Sequence, residues 1–295
     1  MSQTASPSVC HAYGLARVCQ AWDVPRSSVY AARQRRARPP AIALRRGPKT
    51  ALTDAEMTDH IRFVIQQSPF LGEGYRKAWA RLRVAGIRTS RQRVLRLMRA
   101  ANLLAPNRAR REPQAHLHDG RITTDRPNEM WGTDATSSWT AEGVGTIFLA
   151  VDHCTGECIG LHAARRGTRF EALEPIRQGV REQFGGYETA IAAGLSLRHD
   201  HGSQFMSDAF QDELRFLGIR SSPAFVREPE TNGVAERFVK TLKEQLLWVE
   251  HFATVEQLRL ALLDFKERYN HGWLVQRHGY QSPATIRDRL LERAA

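Results

Sequence analysis

Three acidic side chains sit where their type and spacing could do chemistry. Asp134 lies inside WGTDAT, residues 131–136, within a run that reads as a strand. Asp200 closes the strand-like run LSLRHD and is followed by His201, Gly202, Ser203, Gln204 and Phe205. Glu236 falls in the first full turn of a helix opened by Thr231, Asn232 and Gly233. A carboxylate at the carboxyl end of a sheet strand projects into the crevice where α/β folds place ligands. Taken singly, each acid has an ordinary explanation as a cap, a turn residue or a surface charge. Taken together, carboxylates are the donors that a hard ion such as Mg²⁺ prefers over thiol or imidazole.

The helix around Glu236 sorts its residues by face. Asn232, Glu236, Lys240 and Lys243 recur at i, i+4, i+8 and i+11, while Ala235, Phe238, Leu242 and Leu246 form the opposing apolar face. One helix from Asn232 to Trp248 can therefore anchor on a core and present a carboxylate with two ammonium groups. The plain alternative is a Glu236–Lys240 helix pair worth about 0.3–0.5 kcal/mol.

The elements that must position these residues divide by charge. Residues 1–128 hold 24 Lys and Arg against 8 Asp and Glu, and 22 of those bases are Arg; residues 129–295 hold 19 against 23. One half is a polycation, the other a slightly acidic globule. Arginine forks onto phosphate oxygens, so a polyanion, nucleic acid first, is the implied partner, with a merely basic surface as the alternative. His11 to Arg38 reads as two short helices broken at Asp23-Val24-Pro25, with Leu15, Val18, Cys19 and Trp22 on one face and Ser27 or Ser28 as a cap. That outline fits a helix-turn-helix or an ordinary helical hairpin. A helix from Asp54 to about Gln67 follows. Then come one with Trp79, Leu82 and Ala85 on its apolar face and another capped by Thr89 or Ser90, with Val94, Leu97, Met98 and Ala101 inward. The outer face of the latter carries Arg91, Arg93, Arg96 and Arg99 and no acid, which favours a helix that faces DNA. Asn107 to Pro127 has five Arg and little apolar periodicity, as expected of a basic arm along a phosphate backbone.

From Asn128 the pattern changes. Strands are expected at Met130–Ser137, Thr146–Asp152, Glu157–Ala163, Leu195–His199 and Ile219–Ser222. Helices are expected at Arg169–Phe184, Ser207–Leu217, Asn232–Trp248, Thr254–Tyr269 and Pro283–Leu291. That order implies a mixed α/β sheet covered by helices. The segments predicted are 1–40 (helix-turn-helix-like), 41–53 (linker), 54–105 (helical, DNA-binding), 106–127 (basic linker), 128–250 (catalytic core) and 251–295 (C-terminal helical).

Thirty-five residues separate Asp200 from Glu236, and the flanking residues are as telling as the gap. HDHGSQF and ETNGVAERFVKTLK (230–243) resemble the second and third motifs of the integrase core shared by retroviral integrases and bacterial insertion-sequence transposases. GYRKAWARLRVAGIRTSRQRVLRLM resembles the helix-turn-helix segment of the OrfB-type transposases, and YNHGWLVQRHGYQSPATI (269–286) their closing segment. The resemblance implies a ribonuclease-H-like fold with a five-stranded mixed sheet. It implies Asp134, Asp200 and Glu236 as catalytic and metal-binding residues, with Asp134 bridging two Mg²⁺ ions, Asp200 on one, Glu236 on the other, and Mn²⁺ as a substitute. It implies a DDE transposase that cuts element ends and joins a 3′-OH to target DNA, as a homo-oligomer and with an upstream OrfA-type partner. Asn232, Lys240, Lys243, Arg91, Arg93, Arg96 and Arg99 are the expected DNA contacts. Three positions depart from the family pattern: Glu230 stands where Asp is frequent, Trp273-Leu274 replaces a frequent Arg-Pro, and no Arg closely follows Asp152.

Two other readings compete. A non-catalytic DNA-binding regulator has no need of three converging carboxylates, and a plain nuclease has no need of the basic helical segments. Cys154 and Cys158 lack a second ligand pair for zinc, and Cys10, His11 and Cys19 lack the spacing of a retroviral amino-terminal zinc site. His199 and His201 either orient substrate or play a local structural part. Trp131 reads as core packing and Asp152 as a structural strand end. No run approaches a membrane span, Met1 to Cys19 has no basic start followed by an apolar stretch and so reads as no secretory signal, and four cysteines are too few for a disulfide scaffold. A cytoplasmic, nucleoid-associated protein is expected.

Overall fold

Pro25, Thr53 and Ser90 each stand one residue before a helix and set where it begins. The computed structural model describes residues 3–37, 51–106, 124–224 and 232–293. Most of both expected linkers, and Glu230 and Thr231 of the third motif, lie outside the described residues. The chain divides into two units, 1–51 and 52–295.

In the first unit, α1 (Gly14–Ala21) and α2 (Arg26–Ala37) form the expected pair. Cys19 is buried, but Trp22 lies past the end of α1 and is 66% exposed rather than inward. Pro25 starts α2 at Arg26, so Ser27 and Ser28 lie inside its first turn instead of capping it.

The second unit opens with α3 (Asp54–Gln66), α4 (Tyr75–Val84) and α5 (Arg91–Ala100). Thr53 and Glu56 close a capping box on α3, and Ser90 accepts the Arg93 N–H on α5. Met57, Ile61, Ala78, Leu82, Val94 and Met98 make a core between the three helices. Ala85, expected inward, follows the end of α4 and is exposed; Ala78 fills that place.

The sheet contains β1 (Met130–Thr140), β2 (Gly143–Asp152), β3 (Cys158–Ala164), β4 (Ser196–His199) and β5 (Arg220–Pro223), in the order β3-β2-β1-β4-β5. The first three are antiparallel, and β4 and β5 join parallel, with β1 at the centre. Alternation decides the faces. Trp131, Phe148, Ala150 and Leu197 meet α6 (Arg169–Phe184) and α7 (Asp208–Leu217). Ile147, Leu149, Val151 and Leu161 meet α8 (Gly233–Leu242) and α9 (Val255–Gly272). Gly160 lets α6 approach: a Cβ there would lie 2.2 Å from the Pro175 carbonyl oxygen.

The expected helix from Asn232 to Trp248 is two structures. α8 ends at Leu242 and a π-helical turn, Lys243–Leu247, follows. The wider turn buries Leu246 and Leu247 side by side and sends Gln245 to bond the Leu71 N–H (2.8 Å) and carbonyl (3.0 Å). A last helix, α10 (Pro283–Glu292), is capped by Ser282. The segment before it touches both cores: Trp273 meets Phe70 edge-on at the α8–α9 core, and Tyr280 meets Trp79 in the three-helix core.

Candidate active site

The parallel pairing of β1 with β4 aligns Gly132 with Arg198. Two residues further along come Asp134, within β1, and Asp200, one residue past the end of β4. With a side-chain period of two, both project from the face that α8 covers. Asp134 stands opposite Leu149, which packs in the α8–α9 core. The third acid comes from α8. Asn232 is its N-cap residue, and its Nδ2 donates to the Thr133 carbonyl at 3.0 Å, beside Asp134. Glu236 follows four residues later on the same face, with its side chain exposed.

Electrostatics records the meeting of the three. The Asp134 carboxyl is raised to about 6, first by burial and then by the charges of Asp200 and Glu236; the Ala135 N–H and Lys243 oppose the rise. Asp134 accepts the Ala135 N–H and Asp200 the Gly202 N–H, both at 2.8 Å. As they stand, no three His, Cys, Asp or Glu side chains among the described residues lie close enough to hold one ion together. The donor set nevertheless suits a divalent cation: three carboxylates whose mutual repulsion a cation would relieve.

The basic residues expected at DNA are placed differently from one another. Lys240 is exposed, whereas Lys243 is half-buried and its charge bears on Asp134. Asn232, expected to face DNA, is instead 6% exposed, because its amide turns into the protein to bond β1. On α5, Arg93 is bonded to Asp54 (2.9 Å) and the Leu52 carbonyl, and Arg96 to the other oxygen of Asp54 (2.7 Å). An acid absent from α5 thus arrives from α3. Arg91 lies 4.3 Å over the Trp79 ring, and Arg99 is exposed.

The site has parts that motif reading passed over. Gly132, His153 and Arg198 lie behind the acids. His153 is buried, and burial with the nearby Arg277 and Arg198 charges pushes it down to about 4, so it is neutral. The signal for Gly132 was its place two residues before Asp134; His153 had none. His199 is buried, donating from Nδ1 to the Asp200 carbonyl and accepting the Ser221 hydroxyl, so its part is structural. His201 is exposed. Asp152 is fully buried and accepts the N–H groups of Asn128 and Thr155, a structural strand end.

The sheet order, the parallel β1–β4 pair and the helices on both faces make a ribonuclease-H-like fold. Residues 217–283 match the family described as "Integrase core domain", and residues 53–111 match "HTH-like domain". The first stretch includes Glu236; Asp134 and Asp200 precede it. The chain is 28% identical over 251 residues to the transposase InsD of insertion element IS2A/D/F/H/I/K from Escherichia coli, covering 82% of this chain and 80% of that one. Among solved structures, the catalytic core domain of BIV integrase is 22% identical, with a TM-score of 0.41 and coverage of 57% of this chain and 96% of that one. The HTLV-2 integrase catalytic core domain in complex with magnesium is 21% identical, with a TM-score of 0.32 and coverage of 40% and 69%. The chain is thus similar to an insertion-sequence transposase over most of its length, with one stretch similar to an integrase core domain and an earlier one similar to an HTH-like domain. Among the described residues, no helix is long and apolar enough to cross a membrane.

Proposed function

We propose that this chain is a DDE transposase, which cuts DNA at the ends of an insertion sequence and joins the freed 3′-OH to a target phosphodiester. The observation that carries the reading is the convergence of Asp134, Asp200 and Glu236 from β1, β4 and α8, near enough for the last two to raise the first. The transposase relatives and the HTH-like match support it.

Asp134, Asp200 and Glu236 would hold two Mg²⁺ ions, or Mn²⁺ in their place. Bound ions of this kind supply an activated oxygen nucleophile, an in-line template and neutralisation of the leaving oxygen. The chain's own residues do the remaining work. Asp134, raised to about 6, is still largely ionised at neutral pH and so keeps its charge for a cation. The Gly202 N–H orients the Asp200 carboxylate. Lys240, exposed one turn beyond Glu236, presents an ammonium group to the DNA backbone. Arg99 offers the HTH-like segment a guanidinium for the same backbone, as do Arg91 and Arg96, both exposed on the same helix, and the half-buried Arg93. The partners are element-end and target DNA. Two ends must be joined, so the working form is a homo-oligomer on DNA. An upstream OrfA-type partner and a cytoplasmic, nucleoid-associated location complete the reading.

The test is a joining assay on a labelled element end, run beside a gel shift. Asp134→Asn, Asp200→Asn and Glu236→Gln should each abolish joining while leaving DNA binding nearly unchanged. Full joining by either Asp variant would overturn the mechanism; full joining by Glu236→Gln would remove the third acid from it.

A further inference from the structure

Asn232 occupies the N-cap of α8, where Asn is among the best capping residues, yet its side chain caps nothing. It turns inward instead, 6% exposed, and donates from Nδ2 to the carbonyl of Thr133, the residue before Asp134. Its Oδ1 is buried with no hydrogen-bond partner among the described residues, as are both ring nitrogens of His153. A buried polar atom left in that state costs about 1–3 kcal/mol, so neither helix capping nor core stability accounts for this amide.

The strand has a matching accommodation. A Cβ on Gly132 would lie 2.8 Å from both Asn232 Oδ1 and His153 Nε2, closer than real Cβ contacts come. Glycine at 132 therefore admits the amide to the space between α8 and β1. The bond fixes the start of α8 one residue from Asp134, and Glu236 stands one helical turn further on. We propose that Asn232, seated on Gly132 and bonded to Thr133, is a positioning residue that sets Glu236 against Asp134.

This inference rests on the three-carboxylate reading, and its test separates the two. Mn²⁺ binding to the full chain is measured by electron paramagnetic resonance, beside joining, gel shift and thermal melting, for Asn232→Ala and Asn232→Ser. The serine is a good cap but too short to span to Thr133, so the fold should persist or gain stability. Residues behind metal ligands typically govern about 10–100-fold in metal affinity or activity. Both variants should lose Mn²⁺ affinity and joining by that factor, with DNA affinity within about twofold of the parent. Gly132→Ala, which displaces the amide from the strand side, should reproduce the split. Unchanged Mn²⁺ affinity and joining in Asn232→Ser would overturn the proposal, as would a loss of DNA affinity matching the loss of joining, the mark of a DNA contact. A parent chain that binds no Mn²⁺ would overturn the three-carboxylate reading, and this inference with it.

Discussion

Asp134 and Asp200 each stand two residues beyond a paired couple, Gly132 and Arg198, on parallel neighbouring strands. Parallel strands share polarity, so equal offsets carry both residues the same way along the sheet, Asp134 to the middle of β1 and Asp200 to one residue past the end of β4. A slip of one residue in either strand would turn its acid into the α6–α7 core. The third acid needs no strand register. It depends on where α8 begins, and the Asn232–Thr133 bond marks that point. The geometry of the candidate site thus reduces to one strand pairing and one helix start.

Asp134 should destabilise the metal-free protein at neutral pH. Its folded value of about 6 lies above the ordinary 3.8, so the folded state holds its proton more tightly than the unfolded chain does. That contribution favours folding fully below pH 3.8 and is lost as pH rises through about 6. Asp134→Asn should therefore raise the melting temperature at pH 7.5 without metal, by at most about 2–3 kcal/mol of stability, and show little gain at pH 4. Adding Mg²⁺ should stabilise the parent and not the variant. A variant less stable than the parent at pH 7.5 without metal would contradict this.

The arginines of α5 should separate into two kinds. Arg93 has a side chain only 14% exposed and bonds both Asp54 and the Leu52 carbonyl, so Arg93→Ala should cost about 1–3 kcal/mol by denaturant unfolding. Arg99→Ala touches none of these partners and should change stability by less than about 0.5 kcal/mol while weakening DNA in a gel shift. Equal stability losses in the two variants would erase the distinction.

Much of this was legible because it rests on local pattern. The continuous apolar run Ile147–Val151 marked β2, Gly86 and Ser90 marked the break between α4 and α5, and the Asp200–Glu236 gap with its flanks marked the site. What escaped depends on distant pairs. The acid opposing Arg93 and Arg96 lies 39 residues before the first of them, and no periodicity of α5 reports it. Sequence placed Asn232 on the Glu236 face as a DNA contact and missed its inward turn, since its receptor is a backbone carbonyl 99 positions away. The π turn at Lys243 leaves the apolar spacing of Leu242, Leu246 and Leu247 compatible with a plain helix.

Removing residues 1–51 should leave the 52–295 unit folded and cut its DNA affinity. Those residues form a separate unit and carry nine Lys and Arg against one Asp. If the full chain neutralises six to ten phosphates, its affinity should fall about 10³–10⁵-fold between 50 and 200 mM salt. The 52–295 chain should keep its melting temperature and show a shallower salt slope. An unchanged slope would place the phosphate contacts elsewhere.

Lys240 and Lys243 share the helix of Glu236 but should report different things. Lys240 is exposed, so Lys240→Ala should weaken DNA binding in proportion to joining and shift stability by less than about 0.5 kcal/mol. Lys243 is half-buried, and its positive charge holds down the Asp134 carboxyl. Removing that charge in Lys243→Gln lets burial, Asp200 and Glu236 act on Asp134 with less opposition, so its proton should leave at higher pH. Divalent binding requires the ionised carboxylate. The pH at which Mn²⁺ affinity reaches half its plateau should therefore move upward in Lys243→Gln and stay in place in Lys240→Ala. A matching upward move in both variants would reduce the effect to general loss of positive charge, and a downward move in Lys243→Gln would contradict the placement of that ammonium beside Asp134.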